Sequence, residues 1–141
     1  MKIRLSVCLL LLARLFACKK GKEDPAPDRR TLLTSRAWRL NEVLANGLVV
    51  NDPALLSMLG PFNQTTIRFN SDGTLTATQT NGTVSNGTWA FGSTQDQLQV
   101  TLGGQPYQFA IKQLDATQLI LTTRYTYQGF PLDVELRMVP A

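Results

Sequence analysis

TTIRFNSDGTLTATQTNGTVSNGTWAFGSTQDQLQVTL, residues 65–102, repeats its chemistry every second residue. Ile67 and Phe69 alternate with Thr66 and Arg68, and Leu75 and Ala77 alternate with threonines. Trp89 and Phe91 alternate with Thr88 and Ala90, and Leu98, Val100 and Leu102 with Gln97, Gln99 and Thr101. A period of two sets one face of an extended chain on a core and the other in water. Asp72-Gly73 turns the chain between the first two runs, and Asn81-Gly82 with Asn86-Gly87 bracket the next reversal. These pairs tolerate the positive φ that tight hairpins demand.

The pattern continues on both sides. After the Gly103-Gly104 turn, Tyr107, Phe109 and Ile111 alternate with Gln108, Ala110 and Lys112. Leu119 and Leu121 follow an Asp115-Ala116 turn, and Gln128-Gly129 marks the last reversal. Leu132, Val134, Leu136 and Met138 then alternate with Asp133, Glu135 and Arg137. Upstream, DRRTLLTSRAW (28–38) reads as a short helical turn feeding a strand that begins at Trp38 and Leu40. Asn46-Gly47 predicts a two-residue hairpin with a short return strand over Leu48 to Val50. DPALLSMLG (52–60) predicts a short helix capped by Asp52, started by Pro53 and ended by Gly60-Pro61.

About eight or nine strands joined by tight turns make an all-β domain. No long helix separates them, so parallel crossovers are excluded. Consecutive hairpins give an antiparallel up-and-down sheet, and closing it into an eight-stranded barrel covers the apolar face and removes the edges. The expected domain runs over residues 30–141, with a short N-terminal helix and one short helix between early strands.

The succession RFNSDGTL, NGTWAF, DQLQVTL, after a helical turn and a strand with Trp38, resembles the lipocalin-like domains of bacterial lipoproteins. The resemblance covers most of residues 30–140. It implies a barrel and a cell-envelope address, and little chemistry.

The first residues bear on that address. Lys2 and Arg4 precede an apolar run from Leu5 to Ala13, the length of a signal-peptide core and too short to span a bilayer. Leu15-Phe16-Ala17-Cys18 resembles a bacterial lipobox. The resemblance implies removal of residues 1–17 and acylation of Cys18, whose several acyl chains would anchor the protein to a membrane, expected to be the outer one. Residues 18–29 are charged and contain Pro25 and Pro27, as a flexible tether would.

Processing would alter the charge balance. The whole chain carries +4, with 14 basic and 10 acidic side chains. Without Lys2, Arg4 and Arg14 the balance is 11 against 10, and from Arg30 onward it is seven against seven. A nucleic-acid partner, which needs a basic face on the folded domain, is not expected.

The chain has no histidine, and its two cysteines are Cys8, in the apolar run, and Cys18. A mature domain with neither residue points away from catalysis, transition metals and cofactors. The carboxylates fit local roles: Asp72, Asp96 and Asp115 stand at turns, and Asp133 and Glu135 lie on an outward strand face beside Arg137. Asn63, Asn81 and Asn86 match glycosylation acceptors but read as turn residues. Arg124, Tyr125 and Tyr127 fall near a barrel end, where they would meet a carboxylate or sugar, or simply water.

Trp38, Phe69, Trp89, Phe91, Tyr107 and Phe109 share the inferred inner face. They would either line a pocket for a small hydrophobic ligand or lipid, or fill the barrel as core. The two functions that follow are a ligand-binding lipoprotein and an interaction lipoprotein serving as accessory subunit of an envelope complex.

Overall fold

The computed structural model describes residues 28–63 and 65–141. The segment expected to be a signal peptide (1–17), the Cys18 expected to be acylated and nearly all of the expected tether (18–29) lie outside the described residues.

Nine strands form: β1 (Ala37–Ala45), β2 (Leu48–Val49), β3 (Thr65–Phe69), β4 (Thr74–Gln79), β5 (Val84–Phe91), β6 (Gln97–Leu102), β7 (Gln105–Leu114), β8 (Leu119–Tyr127) and β9 (Phe130–Pro140). All pairings are antiparallel. From β3 to β9 each strand pairs with its successor, and β1 closes the circle by pairing with both β3 and β9. The result is an eight-stranded up-and-down barrel, as the alternation predicts, with β2 as a short appendage on β1. The alternating residues meet inside it as one core containing Trp38, Ile67, Phe69, Leu75, Trp89, Leu98, Val100, Leu121 and Leu136.

The turns follow the predicted chemistry with one exception. Asn46 and Gln128 take positive φ of 49° each, followed by Gly47 at 82° and Gly129 at 83°. Asn86-Gly87, by contrast, lies within β5 rather than at a reversal. Gly87 serves a close approach instead: a Cβ there would sit 2.1 Å from the Thr101 carbonyl oxygen of β6. Gly60-Pro61 also does more than end a helix, because Gly60–Phe62 forms a separate 3-10 turn after helix α2 (Pro53–Ser57).

The two ends of the barrel differ. Helix α1 (Arg29–Thr34), capped by the Asp28 carboxylate at 2.6 Å from Thr31 N, plugs the end where β1 starts. Leu33 points from it into the core at 0% exposure, and the Trp38 indole N–H donates to the Leu33 carbonyl at 3.0 Å. Arginines on and after α1 fasten it to three turns at that end. Arg29 pairs with Asp96 at 3.1 Å, Arg30 donates to the Ser71 carbonyl, and Arg36 donates to the Ala116 carbonyl. Arg30 also lies 4.9 Å from the Trp89 ring, within cation–π range.

Several carboxyls are held below their ordinary range by donors fixed in the fold. The Gln113 amide, then the Thr117 backbone N–H and hydroxyl, bring Asp115 down to about 2. Asp28 is lowered by Thr31, Asp72 by Thr74, and Glu135 first by the Lys112 ammonium. A depressed carboxyl stabilises the fold above its unfolded value of about 4 and stops doing so as pH falls through its folded value. The thermal midpoint is therefore expected to hold steady above about pH 5 and to fall towards pH 2. Melts followed by circular dichroism across that range check this, and Asp115→Asn should flatten the slope between about 4 and 2.

Candidate functional site: the barrel mouth

β1 keeps its β9 partner along its length, from the Trp38–Pro140 pair to the Ala45–Val134 pair. Its pairing with β3, however, spans only Ala37 to Arg39. Beyond that point its edge is met by β2 at Leu44 and Ala45. The chain from β2 to β3, with α2 and the 3-10 turn, lies over the barrel end opposite α1. There it roofs a partly open apolar cavity of about 270 Å³.

Each wall has a local origin. Val43 and Ala45 come from the end of β1, Leu132 and Val134 from the start of β9, and Thr123 and Tyr125 from β8. Leu55, Met58, Leu59 and Phe62 form the roof. The roof is set by Asp52, whose carboxylate accepts from Ala54 N at 2.9 Å and starts α2. It is pinned by Phe62, whose ring meets Tyr107 edge-on at 4.9 Å and Phe109 at 5.3 Å. Such pairs contribute about 0.5–1.5 kcal/mol beyond burial.

The inward polar side chains of the cavity carry hydroxyls, and Gln108 touches its boundary from the outer strand face, beside Gln97 and Gln99. Tyr107, Thr123 and Tyr125 share the inward strand face with Phe109, Leu121 and other core residues. Among the described residues these three hydroxyls have no hydrogen-bond partner. No Asp, Glu, Lys or Arg of the described strands shares that inward face. Arg124 reaches the cavity boundary, but its side chain stands on the outer face and pairs with Asp133 at 3.2 Å. Tyr127, at the same end, accepts from its neighbour Gln128 at 3.2 Å.

The six aromatic candidates divide by depth. Tyr107 lines the cavity, and Phe109 lies below it against Phe62. Trp38, Phe69, Trp89 and Phe91 occupy the plugged end, where Phe69–Trp89 and Trp89–Phe91 pack edge-on at 5.8 and 5.4 Å. There the Trp89 indole N–H donates to the Asn70 carbonyl at 2.8 Å. Sequence reasoning did not single out the roof residues. The signal present is ALLSMLGPF (54–62), more apolar than a solvated connection requires.

The outer wall also departs from expectation at one residue. Glu135 is not a solvated strand carboxylate: it is 9% exposed. Lys112 approaches it at 2.6 Å and Arg137 at 2.8 Å, and Arg137 also reaches Glu42 at 3.1 Å. The stems of those long cations cover it.

The exposed large hydrophobic residues gather at the mouth end. Leu48 and Val49 lie on β2, Val84 after the β4–β5 turn, and Tyr125 and Phe130 at the β8–β9 hairpin.

Comparisons with known proteins support the fold. No protein-family model and no curated protein matches the chain. Among solved structures, it is similar to a lipocalin-like protein from Bacteroides uniformis ATCC 8492, with a TM-score of 0.52 and 13% identity. That likeness covers 78% of this chain and 99% of the other. It is also similar to a DUF4847 family protein from Bacteroides vulgatus ATCC 8482, with a TM-score of 0.51, 16% identity and coverage of 79% and 96%. At these identities the likenesses show the fold alone, an antiparallel barrel.

Proposed function

We propose that this protein is a lipid-anchored, non-enzymatic binder that holds a small hydrophobic molecule or lipid in the mouth of its barrel. The observation that carries the proposal is the 270 Å³ apolar cavity at the end opposite α1. This volume exceeds the roughly 150 Å³ that suffices for benzene and falls just short of the roughly 300 Å³ at which typical ligand sites begin, so a small aryl body or short tail fits and a larger ligand does not. The anchor rests on Cys18 and the apolar run before it, and assigns the protein to the cell envelope, at the outer membrane.

Two experiments test this. Titration with the neutral fluorophore N-phenyl-1-naphthylamine should give saturable binding, and Ala45→Trp, which fills the cavity from β1, should weaken it at least tenfold. A small loss of stability is expected with it, since overpacking costs about 1–3 kcal/mol. Fluorophore binding that ignores Ala45→Trp would remove the cavity from the proposal. Metabolic labelling with a radioactive fatty acid should mark the native chain and spare Cys18→Ser; equal labelling, or none, would remove the anchor.

A second reading rests on the apolar rim. Leu48, Val49, Val84 and Phe130 are exposed large hydrophobic residues at one end, as an accessory subunit of an envelope complex would present to a protein partner. Absence of fluorophore binding, together with a partner recovered by crosslinking through this rim, would favour it.

A further inference from the structure

On its inward face the mouth cavity offers hydroxyls and no charge, while Gln108 and Arg124 meet its boundary from the outer strand face. We infer that it selects an uncharged amphiphile, a short alkyl or aryl body ending in one hydroxyl or carbonyl, and discriminates against the anionic or cationic counterpart of the same shape. This rests on ligand binding at the cavity, as proposed above, and adds the chemical class of the ligand.

Size sets the body. At about 270 Å³ the cavity takes one small aryl body or one short chain and not a multi-chain lipid in full. The walls around it, Val43, Leu59, Leu132 and Val134 among them, reward apolar surface. Polarity sets the end group. The hydroxyls of Tyr107, Thr123 and Tyr125 each donate and accept, and among the described residues none is already engaged. A ligand hydroxyl or carbonyl reaching them recovers the hydrogen bonds it loses on leaving water.

Charge sets the exclusion. An ion drawn under the roof sheds hydration and meets no counter-charge on the inward face, which is heavily unfavourable. Outside, Lys112 and Arg137 share the buried Glu135, and Arg124 pairs with Asp133 on the open surface, where a carboxylate gains little from it in water. A carboxylate left at the rim therefore meets a neutralised surface that includes Asp133.

Three probes of one length test the inference: 1-octanol, octanoate and octylammonium, each competing with N-phenyl-1-naphthylamine on the full chain carrying Cys18→Ser. At pH 8 octanol should displace the fluorophore, and both ions should need at least about tenfold higher concentration. At pH 4 octanoic acid is mostly neutral and should approach octanol, while octylammonium should not. Thr123→Lys, which sets a cation on the inward face, should turn the preference towards octanoate at pH 8. If octanoate matches octanol at pH 8, the selection is overturned while binding at the cavity stands. If no probe displaces the fluorophore, the cavity itself is not a ligand site. Should Thr123→Lys fail to fold by circular dichroism, the comparison of pH 8 with pH 4 on the unsubstituted cavity decides.

Discussion

Trp38→Ala is expected to destabilise the protein by about 3–5 kcal/mol, as removal of a buried indole does. Trp38 is fully buried at the plugged end, and its register sets it between Ile67 of β3 and Pro140 of β9. Its ring therefore packs where the barrel closes on itself. Its indole N–H also holds the Leu33 carbonyl, so the side chain couples the plug to the wall. Helix α1 has six residues, too few to persist without tertiary packing. The variant should thus lose helix and core contacts together. Urea denaturation gives the magnitude, and amide exchange in residues 29–34 should accelerate beyond the global change. Trp38→Phe keeps most of the apolar body and leaves the carbonyl unpaired, so about 1–3 kcal/mol is expected. An unchanged midpoint in Trp38→Ala would show that α1 does not seal this end.

Gly87→Ala is expected to destabilise by at least about 3 kcal/mol, the upper end of what overpacking does. The added carbon would fall 2.1 Å from the Thr101 oxygen and 3.1 Å from its carbonyl carbon, both backbone atoms. No side-chain rotation relieves that contact, so β5 and β6 must separate around the Gly87–Leu102 and Thr88–Thr101 pairs. Gly82→Ala supplies the contrast. Its φ is +86° and nothing lies within 4 Å of an added Cβ, so only backbone strain of about 1–2 kcal/mol applies. Thermal melts of both variants check the ranking, and amide exchange should localise the Gly87→Ala damage to β5 and β6. Equal losses would mean that the strands yield and that steric approach at Gly87 does not matter.

The contrast between Asn81-Gly82 and Asn86-Gly87 also shows how far the sequence can be read. Both pairs carry the residues of a hairpin turn, and only the first makes one. What decides the second is the approach of a β6 carbonyl, which no local composition encodes. The barrel itself was legible, because period-two alternation and turn pairs recur from Trp38 to Met138 and each hairpin constrains the next. The cavity was less so. Trp38, Phe69, Trp89 and Phe91 share with Tyr107 a face and a period but not a depth. Depth depends on where β1 leaves β3, and on the register shifts between Leu40 and Glu42 and between Ile111 and Gln113. Those shifts leave no mark in the alternation strong enough to place a void. DPALLSMLG predicts the short helix of the roof, yet what its apolar side covers depends on the closed barrel beneath it.

Asp28, which caps α1, and Ala141, whose N–H donates to the Ala37 carbonyl at 3.0 Å, lie at one pole of the molecule. A dye, a fused reporter or a solid support joined at either position would hang from the sealed pole and leave the opposite doorway unobstructed. The same geometry sets whatever precedes Asp28 in the chain at the base, on the far side of the molecule from the doorway.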